Sequence, residues 1–147
     1  MTAYTQEWLS RQIVEKAADA IIFADEEGII RMWNAGAESI FGYSAEDALG
    51  QSLDLIVPEK LRKNHWEGYR KVMATGKTKY GIETLAVPAI TKDDNRISIE
   101  FTIVLVTNDS GDPMGTAAII RDVTERWLKE KKLKKRLAEL EEREKKM

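Results

Sequence analysis

The sequence predicts an α+β fold: a five-stranded antiparallel sheet with helices crossing one face and a flanking helix at each end. Five segments rich in β-branched and aromatic residues are bounded by turn residues. Between the second and third segments, apolar residues recur at helical spacing, so helices must cross one face of the sheet. The 147 residues suit one core, and an apolar content of 43% is enough to pack it.

The first element is an amphipathic helix over residues 4–20. Leu9, Ile13 and Ala17 recur every fourth residue, and Trp8 lies beside them. A helix with this pattern is expected to bury its apolar stripe against another surface.

A β-hairpin follows, with "IIF" and "IIRMWN" as strands and "DEEG" as the turn. Asn34 is placed to cap the short helix "AGAESIFG", which Gly42 ends. Ser44 caps the next helical turn, and Gly50 ends it.

The stretch "VPEKLRKNHWEGYRKV" predicts a helix that carries His65, the only histidine of the chain. This helix runs to about Thr75, and Gly76 ends it. Pro58 suits its first turn, where a proline's missing N–H is not needed. Leu61, His65 and Tyr69 are spaced four residues apart and therefore share one helix face. If Leu61 faces the core, His65 does so as well.

Three β segments follow, "TKYGIETLAVPAI", "RISIEFTIVLV" and "PMGTAAIIRDV". Pro88 in the first segment predicts a bulge or an edge position. In the second, apolar residues alternate strictly with others, so one face points to a core. These inward residues are Ile97, Ile99, Phe101, Ile103 and Leu105.

From Thr124 onwards the chain is almost entirely Lys, Glu, Arg and Leu. Leu133, Leu137 and Leu140 fall at coiled-coil seam positions, but charged residues occupy other seam positions. The segment is either a solvated helix or a helix that forms a dimer or carries a signal. The expected divisions are a flanking helix at 1–18, a central domain at 19–123 and a C-terminal helix at 124–147.

Composition narrows the function classes. The chain has no cysteine, which excludes disulfides, thiolate metal sites and thiol catalysis. A net charge of -2 gives no general attraction to nucleic acid, and no apolar run is long enough to cross a membrane. The polar N-terminus predicts a cytoplasmic protein. Without a nucleophile elbow, a P-loop or a G-x-G-x-x-G motif, an enzyme is not expected.

The segment "DAIIFADEEGIIRMWNAGAESIFGYSAEDALGQSLDLIVPE" resembles the first half of a PAS domain. The segment "RDVTER" resembles the motif from which PAS domains launch a signalling helix, so the likeness covers about residues 17–126. The resemblance implies the PAS fold and a sensory or dimerisation module. It also implies a homodimer, because the flanking helices of PAS domains commonly pair, and it allows for a separate signalling output protein.

"PEKLRKNH" fits the pattern P-E-x-x-R-x-x-H of the haem-binding PAS domains in rhizobial oxygen-sensing histidine kinases. The matching residues are Pro58, Glu59, Arg62 and His65. By this resemblance, His65 is the metal ligand, and the cofactor is haem b. A neutral imidazole fills one axial position of the iron and leaves the other open. The resemblance therefore predicts a sensor of carbon monoxide, nitric oxide, oxygen or redox state.

The cofactor pocket is expected to include the histidine helix and the strands that face it. Basic residues that could reach the haem propionates are Arg70, Lys71 and Lys79. The other pocket candidates are Leu61, Tyr69, Ile82, Thr84, Leu85, Ile99, Phe101, Ile103 and Ile119. The rhizobial sensors place an arginine at the position of Thr84, where this chain has none, so a weaker preference for oxygen is expected.

Two other interpretations remain open. The histidine pattern also occurs in PAS domains without haem, and Trp66 and Val72 could define an inward helix face that leaves His65 exposed. The chain would then be a haem-free interaction or dimerisation module, or it would bind another small organic ligand. Flavin could bind non-covalently near Trp33 and Asn34, although these residues are also explained as a strand aromatic and a helix cap.

Overall fold

The computed structural model describes residues 3–77 and 86–147. Its strands form one antiparallel sheet in the order β2-β1-β5-β4-β3, which confirms the predicted α+β fold with five strands. The elements are α1 (Gln6–Lys16), β1 (Ala20–Asp25), β2 (Ile30–Trp33), α2 (Ala35–Phe41), α3 (Ala45–Ala48), α4 (Arg62–Thr75), β3 (Val87–Ile90), β4 (Arg96–Thr107), β5 (Pro113–Asp122) and α5 (Thr124–Lys145).

Helix α1 is shorter than the predicted helix at 4–20, and the buried Asn34 explains why. Its Nδ2 donates hydrogen bonds to the carbonyl oxygens of Val14 (2.8 Å) and Asp19 (3.0 Å), which draws the chain out of the helix towards β1. Its Oδ1 accepts from the backbone N–H of Ala37 at 2.9 Å, so the predicted cap of α2 is confirmed.

The core lies between the sheet and α2. Ile22, Ile30 and Phe41 are fully buried there. The ring of Trp33 packs 5.7 Å from that of Phe41, and its Nε1 donates to the carbonyl oxygen of Tyr43 at 2.9 Å. Trp33 therefore has a structural role as a strand aromatic.

The strand register separates an inner face, which carries the core, from an outer face. Phe101 pairs with Ile120 on the inner face, and Ile103 shares that face by strand alternation. Ile119 pairs instead with Thr102 and is 38% exposed on the outer face. The prediction that Ile119 lines the pocket is therefore wrong, because it points away from Phe101 and Ile103.

Among the described residues, strand β3 lies at the edge of the sheet beside β4, so the predicted edge position of Pro88 is confirmed. The segment that leads into β3 includes residues 78–85, which are outside the described part. The predicted pocket residues found there are Lys79, Ile82, Thr84 and Leu85.

Helix α5 leaves the domain after Val123, and all of its residues from Glu125 onwards are exposed. Leu133 is 69% exposed, as expected of a helix without a packing partner. Within the described residues, no helix is both long and apolar enough to span a bilayer.

Candidate functional site

Helix α4 carries His65. It begins at Arg62, whose Nε donates to the carbonyl oxygen of Val57 at 3.1 Å and whose terminal nitrogen donates to that of Asp54 at 3.2 Å. Gly76 ends it in the left-handed conformation with φ 69°, as the sequence predicts. The first turn of α4 is thus tied to the loop that precedes it.

The imidazole of His65 is half-buried beside two aromatic rings. The ring of Trp66 lies edge-on at 4.7 Å between centroids, and that of Tyr69 lies at 6.0 Å. His65 Nδ1 is the one buried side-chain nitrogen or oxygen in the described residues that has no hydrogen-bond partner. An unpaired buried polar atom costs about 1–3 kcal/mol.

Burial lowers the pKa of His65, and the carboxylate of Asp54 opposes this effect only in part. The imidazole is therefore uncharged at neutral pH, with a lone pair available on one ring nitrogen. This is the protonation state that a metal ligand requires.

Tyr69 connects α4 to the sheet. It is buried, and its hydroxyl lies within hydrogen-bond distance of the carbonyl oxygens of Ala24 (3.1 Å) and Asp25 at the end of β1. Burial raises the pKa of this hydroxyl, so it remains a donor. Leu61 and His65 are half-buried on the same side of the helix, consistent with the spacing in the sequence.

Trp66 makes a second connection, which the sequence reasoning missed. Its Nε1 donates to Asp54 Oδ1 at 2.7 Å. Its six-membered ring lies against Gly28, where a β-carbon would come within 2.2 Å of two ring carbons. Gly28 was expected only as a turn residue. Trp66 and Gly28 are far apart in sequence, so no local sequence pattern indicates their contact.

The other predicted site residues fall into two groups. Ile99 is buried, and Phe101 and Ile103 are half-buried on the inner face of the sheet. Arg70 and Lys71 are exposed on α4, where charged side chains can reach a polar group at a pocket mouth.

The donor set fits one kind of metal site better than others. Nowhere in the described ranges do three or more His, Asp or Glu side chains cluster as metal ligands. A lone imidazole suits an iron whose other ligands would come from a porphyrin, as in haem proteins whose iron is held by one histidine. The residues around His65 therefore fit haem better than a zinc ion.

A second candidate surface lies on the outer face of the sheet. One row of paired residues crosses four strands, from Met32 through Phe23 and Ala117 to Val104. Met32 is 44% exposed and Val104 is 50% exposed. An apolar patch of this kind usually marks a contact with a partner.

A family model described as the PAS fold matches residues 14–127. Sensor protein FixL of Bradyrhizobium diazoefficiens is 28% identical over 92% of this chain and 26% of its own length. Oxygen sensor protein DosP of Escherichia coli is 25% identical over 75% of this chain and 15% of its own length. The chain thus spans about a quarter or less of these relatives.

Solved structures share the fold. A PAS domain from Colwellia psychrerythraea aligns with a TM-score of 0.70 and 25% identity, covering 80% of this chain and 96% of that one. An RNA-binding light-oxygen-voltage receptor aligns with a TM-score of 0.75 and 21% identity, covering 90% of this chain and 37% of that one.

Proposed function

The chain belongs to the PAS fold family, and from that premise we propose that it is a haem-binding sensor domain, with His65 as the axial ligand of haem b. The signal is a diatomic gas (carbon monoxide, nitric oxide or oxygen) or the redox state. The observation that carries the proposal is the imidazole of His65, which is half-buried beside the rings of Trp66 and Tyr69 and is uncharged at neutral pH. The pattern formed by Pro58, Glu59, Arg62 and His65 supports the same assignment.

Several side chains suit this role. The rings of Trp66 and Tyr69 flank the imidazole and limit the access of water to it. Arg70 and Lys71 are exposed on the same helix and are candidates for pairing with the propionates. Bound haem would supply an iron centre able to take up a gas or an electron.

The inner face of β4 bears on selectivity. Ile99, Phe101 and Ile103 are apolar and offer no hydrogen-bond donor to a bound gas. Oxygen gains more from such a donor than carbon monoxide does, so this lining favours carbon monoxide or nitric oxide. The segment before β3 supplies no arginine, because none occurs between Gly76 and Thr91.

Titration of the purified protein with haemin tests the proposal. We expect saturable binding with a strong absorption band near ~400 nm, the usual region for haem proteins. His65→Ala should abolish this binding while circular dichroism stays unchanged. Asn64→Ala alters an exposed neighbour on the same helix and is the matched control. Equal affinity and an equal spectrum in His65→Ala would exclude His65 as the ligand.

A second candidate is a haem-free interaction module, which the exposed apolar outer face favours. Its core would be filled by side chains, by a small organic ligand or by non-covalently bound flavin. A colourless protein that takes up no haemin would support this candidate. Either function is compatible with a homodimer formed through the outer face and the flanking helices, and with a separate output protein.

A further inference from the structure

Backbone contacts between the β1–β2 hairpin and the segment that contains Asp54 support the contact between Trp66 and this hairpin. The backbone N–H of Leu53 donates to the carbonyl oxygen of Gly28 at 3.0 Å, and Ile29 forms a β-bridge with Ser52. The hairpin turn and the loop that contains Asp54 are therefore fixed to each other. Together, Gly28 and Asp54 form a seat for the indole of Trp66.

Gly28 is required at this seat for two reasons. It adopts φ 79°, a left-handed conformation that other residues rarely take. It is also buried, and a β-carbon there would clash with the indole. Any larger residue must displace the indole of Trp66, against which the imidazole of His65 packs.

We propose that Trp66 is a positioning residue for His65: its indole, held between Gly28 and Asp54, fixes the direction in which the imidazole faces. The hydrogen bond from Nε1 to Asp54 sets the plane of the indole, and the imidazole packs edge-on against that plane. The consequence for haem rests on the proposed function. The effect on the imidazole does not, because it follows from the contact between the two rings alone.

Residues that orient a metal-ligating histidine typically change metal affinity by about 10–100-fold when they are replaced. We expect a loss in this range for haemin binding in Trp66→Phe, which keeps a ring but lacks the N–H donor. Asp54→Asn retains an acceptor oxygen for Trp66 and should lose less affinity than Asp54→Ala. This rescue by the conservative variant separates positioning from a general loss of fold.

The first measurement uses the haem-free protein. Because the chain has a single histidine, the ring proton resonances of His65 can be assigned without ambiguity by NMR. Gly28→Ala keeps the indole but displaces it, so these resonances should shift at constant pH. Glu67→Gln alters an exposed residue next to Trp66 and should leave them in place.

Unchanged His65 resonances in Gly28→Ala would overturn the inference, as would haemin affinity in Trp66→Phe within twofold of the original protein. Failure of the original protein to bind haemin would contradict the proposed function instead. In that case the resonance shift in haem-free Gly28→Ala still decides whether Trp66 positions His65. Circular dichroism of each variant shows whether the fold is retained.

Discussion

The two faces of the sheet are built from the same strands but have different surroundings. On the inner face, Ile22 is 2% exposed and packs in the core with Phe41. On the outer face, Val104 and Met32 remain about half exposed, although they are as apolar as the inner residues. The chain therefore completes only one of its two apolar faces. Burial within one protomer accounts for the inner face, and contact with a partner would account for the outer face.

The borders of the outer face reinforce this contrast. Arg121 pairs with Asp19 at 3.2 Å, and Arg126 pairs with Glu100 at 2.8 Å. An apolar centre with charged residues at its rim is the usual arrangement of a protein–protein interface. The inner face should thus determine stability, and the outer face should determine assembly.

The largest expected effect is on the stability of the core, which α2 forms with the inner face of the sheet. Phe41→Ala removes a fully buried ring from the core and should lower the free energy of unfolding by about 3–5 kcal/mol. Val104→Ala on the outer face is the matched comparison and should cost less than about 1 kcal/mol in the monomer. Urea titrations at low protein concentration measure both. Equal losses for the two variants would contradict the division between faces.

On the outer face, Val104→Lys should convert a homodimer into a monomer with little change in unfolding free energy of the monomer. A charge buried at the centre of an apolar interface has no partner there and opposes association. Sedimentation velocity at tens of micromolar checks this. Ser39→Lys adds the same charge at an exposed position on α2 and should leave the association unchanged. A Val104→Lys variant that associates as tightly as the original would place the interface elsewhere.

The stability of the haem-free protein should change with pH, by less than the core and interface variants change stability or association. Burial lowers the pKa of His65 in the folded chain, so the unfolded chain binds a proton more readily. The stability of the haem-free protein should therefore be full above the unfolded value of about 6.5 and fall as the pH drops below it. Urea midpoints at about pH 8 and about pH 5.5 measure the change. His65→Gln should flatten this part of the profile, and an equally steep decline in that variant would assign it to other groups.

The smallest effect is expected at the rim. Arg126→Gln removes an ion pair between partly exposed side chains, which is typically worth about 0.2–1 kcal/mol. Thermal unfolding in low and in high salt should show a difference from the original protein that shrinks as salt increases. A loss as large as that of Phe41→Ala would mean that this pair belongs to the core.

Local rules predicted much of the fold. Asn34 and Gly76 were assigned correctly because a cap residue and a helix-ending glycine act on their immediate neighbours. Ile119 was misplaced because it precedes Ile120, another apolar residue, and only pairing with β1 and β4 decides which of the two faces the core. The early end of α1 was missed for the same reason. It depends on Asn34, which is distant in sequence and donates hydrogen bonds to the carbonyl oxygens of Val14 and Asp19.

The contacts around His65 were predictable only in part. The four-residue spacing of His65 and Tyr69 indicates a shared helix face, because residues at this spacing lie one turn apart. The seat formed by Gly28 and Asp54 could not be inferred, since it depends on where the β1–β2 hairpin meets α4. Tertiary contacts of this kind are fixed by packing and leave no periodic pattern in the sequence.

The most direct test of the site is to label the chain with ¹⁵N-histidine, because His65 is its only histidine. In the reduced, haem-loaded protein, resonance Raman spectroscopy would then report on a bond between iron and this residue alone. We expect an iron–nitrogen stretching band that moves to lower frequency with the label. A haem-loaded protein without an isotope-sensitive band would show that haem binds without His65, and a protein that binds no haem would contradict the proposed function itself.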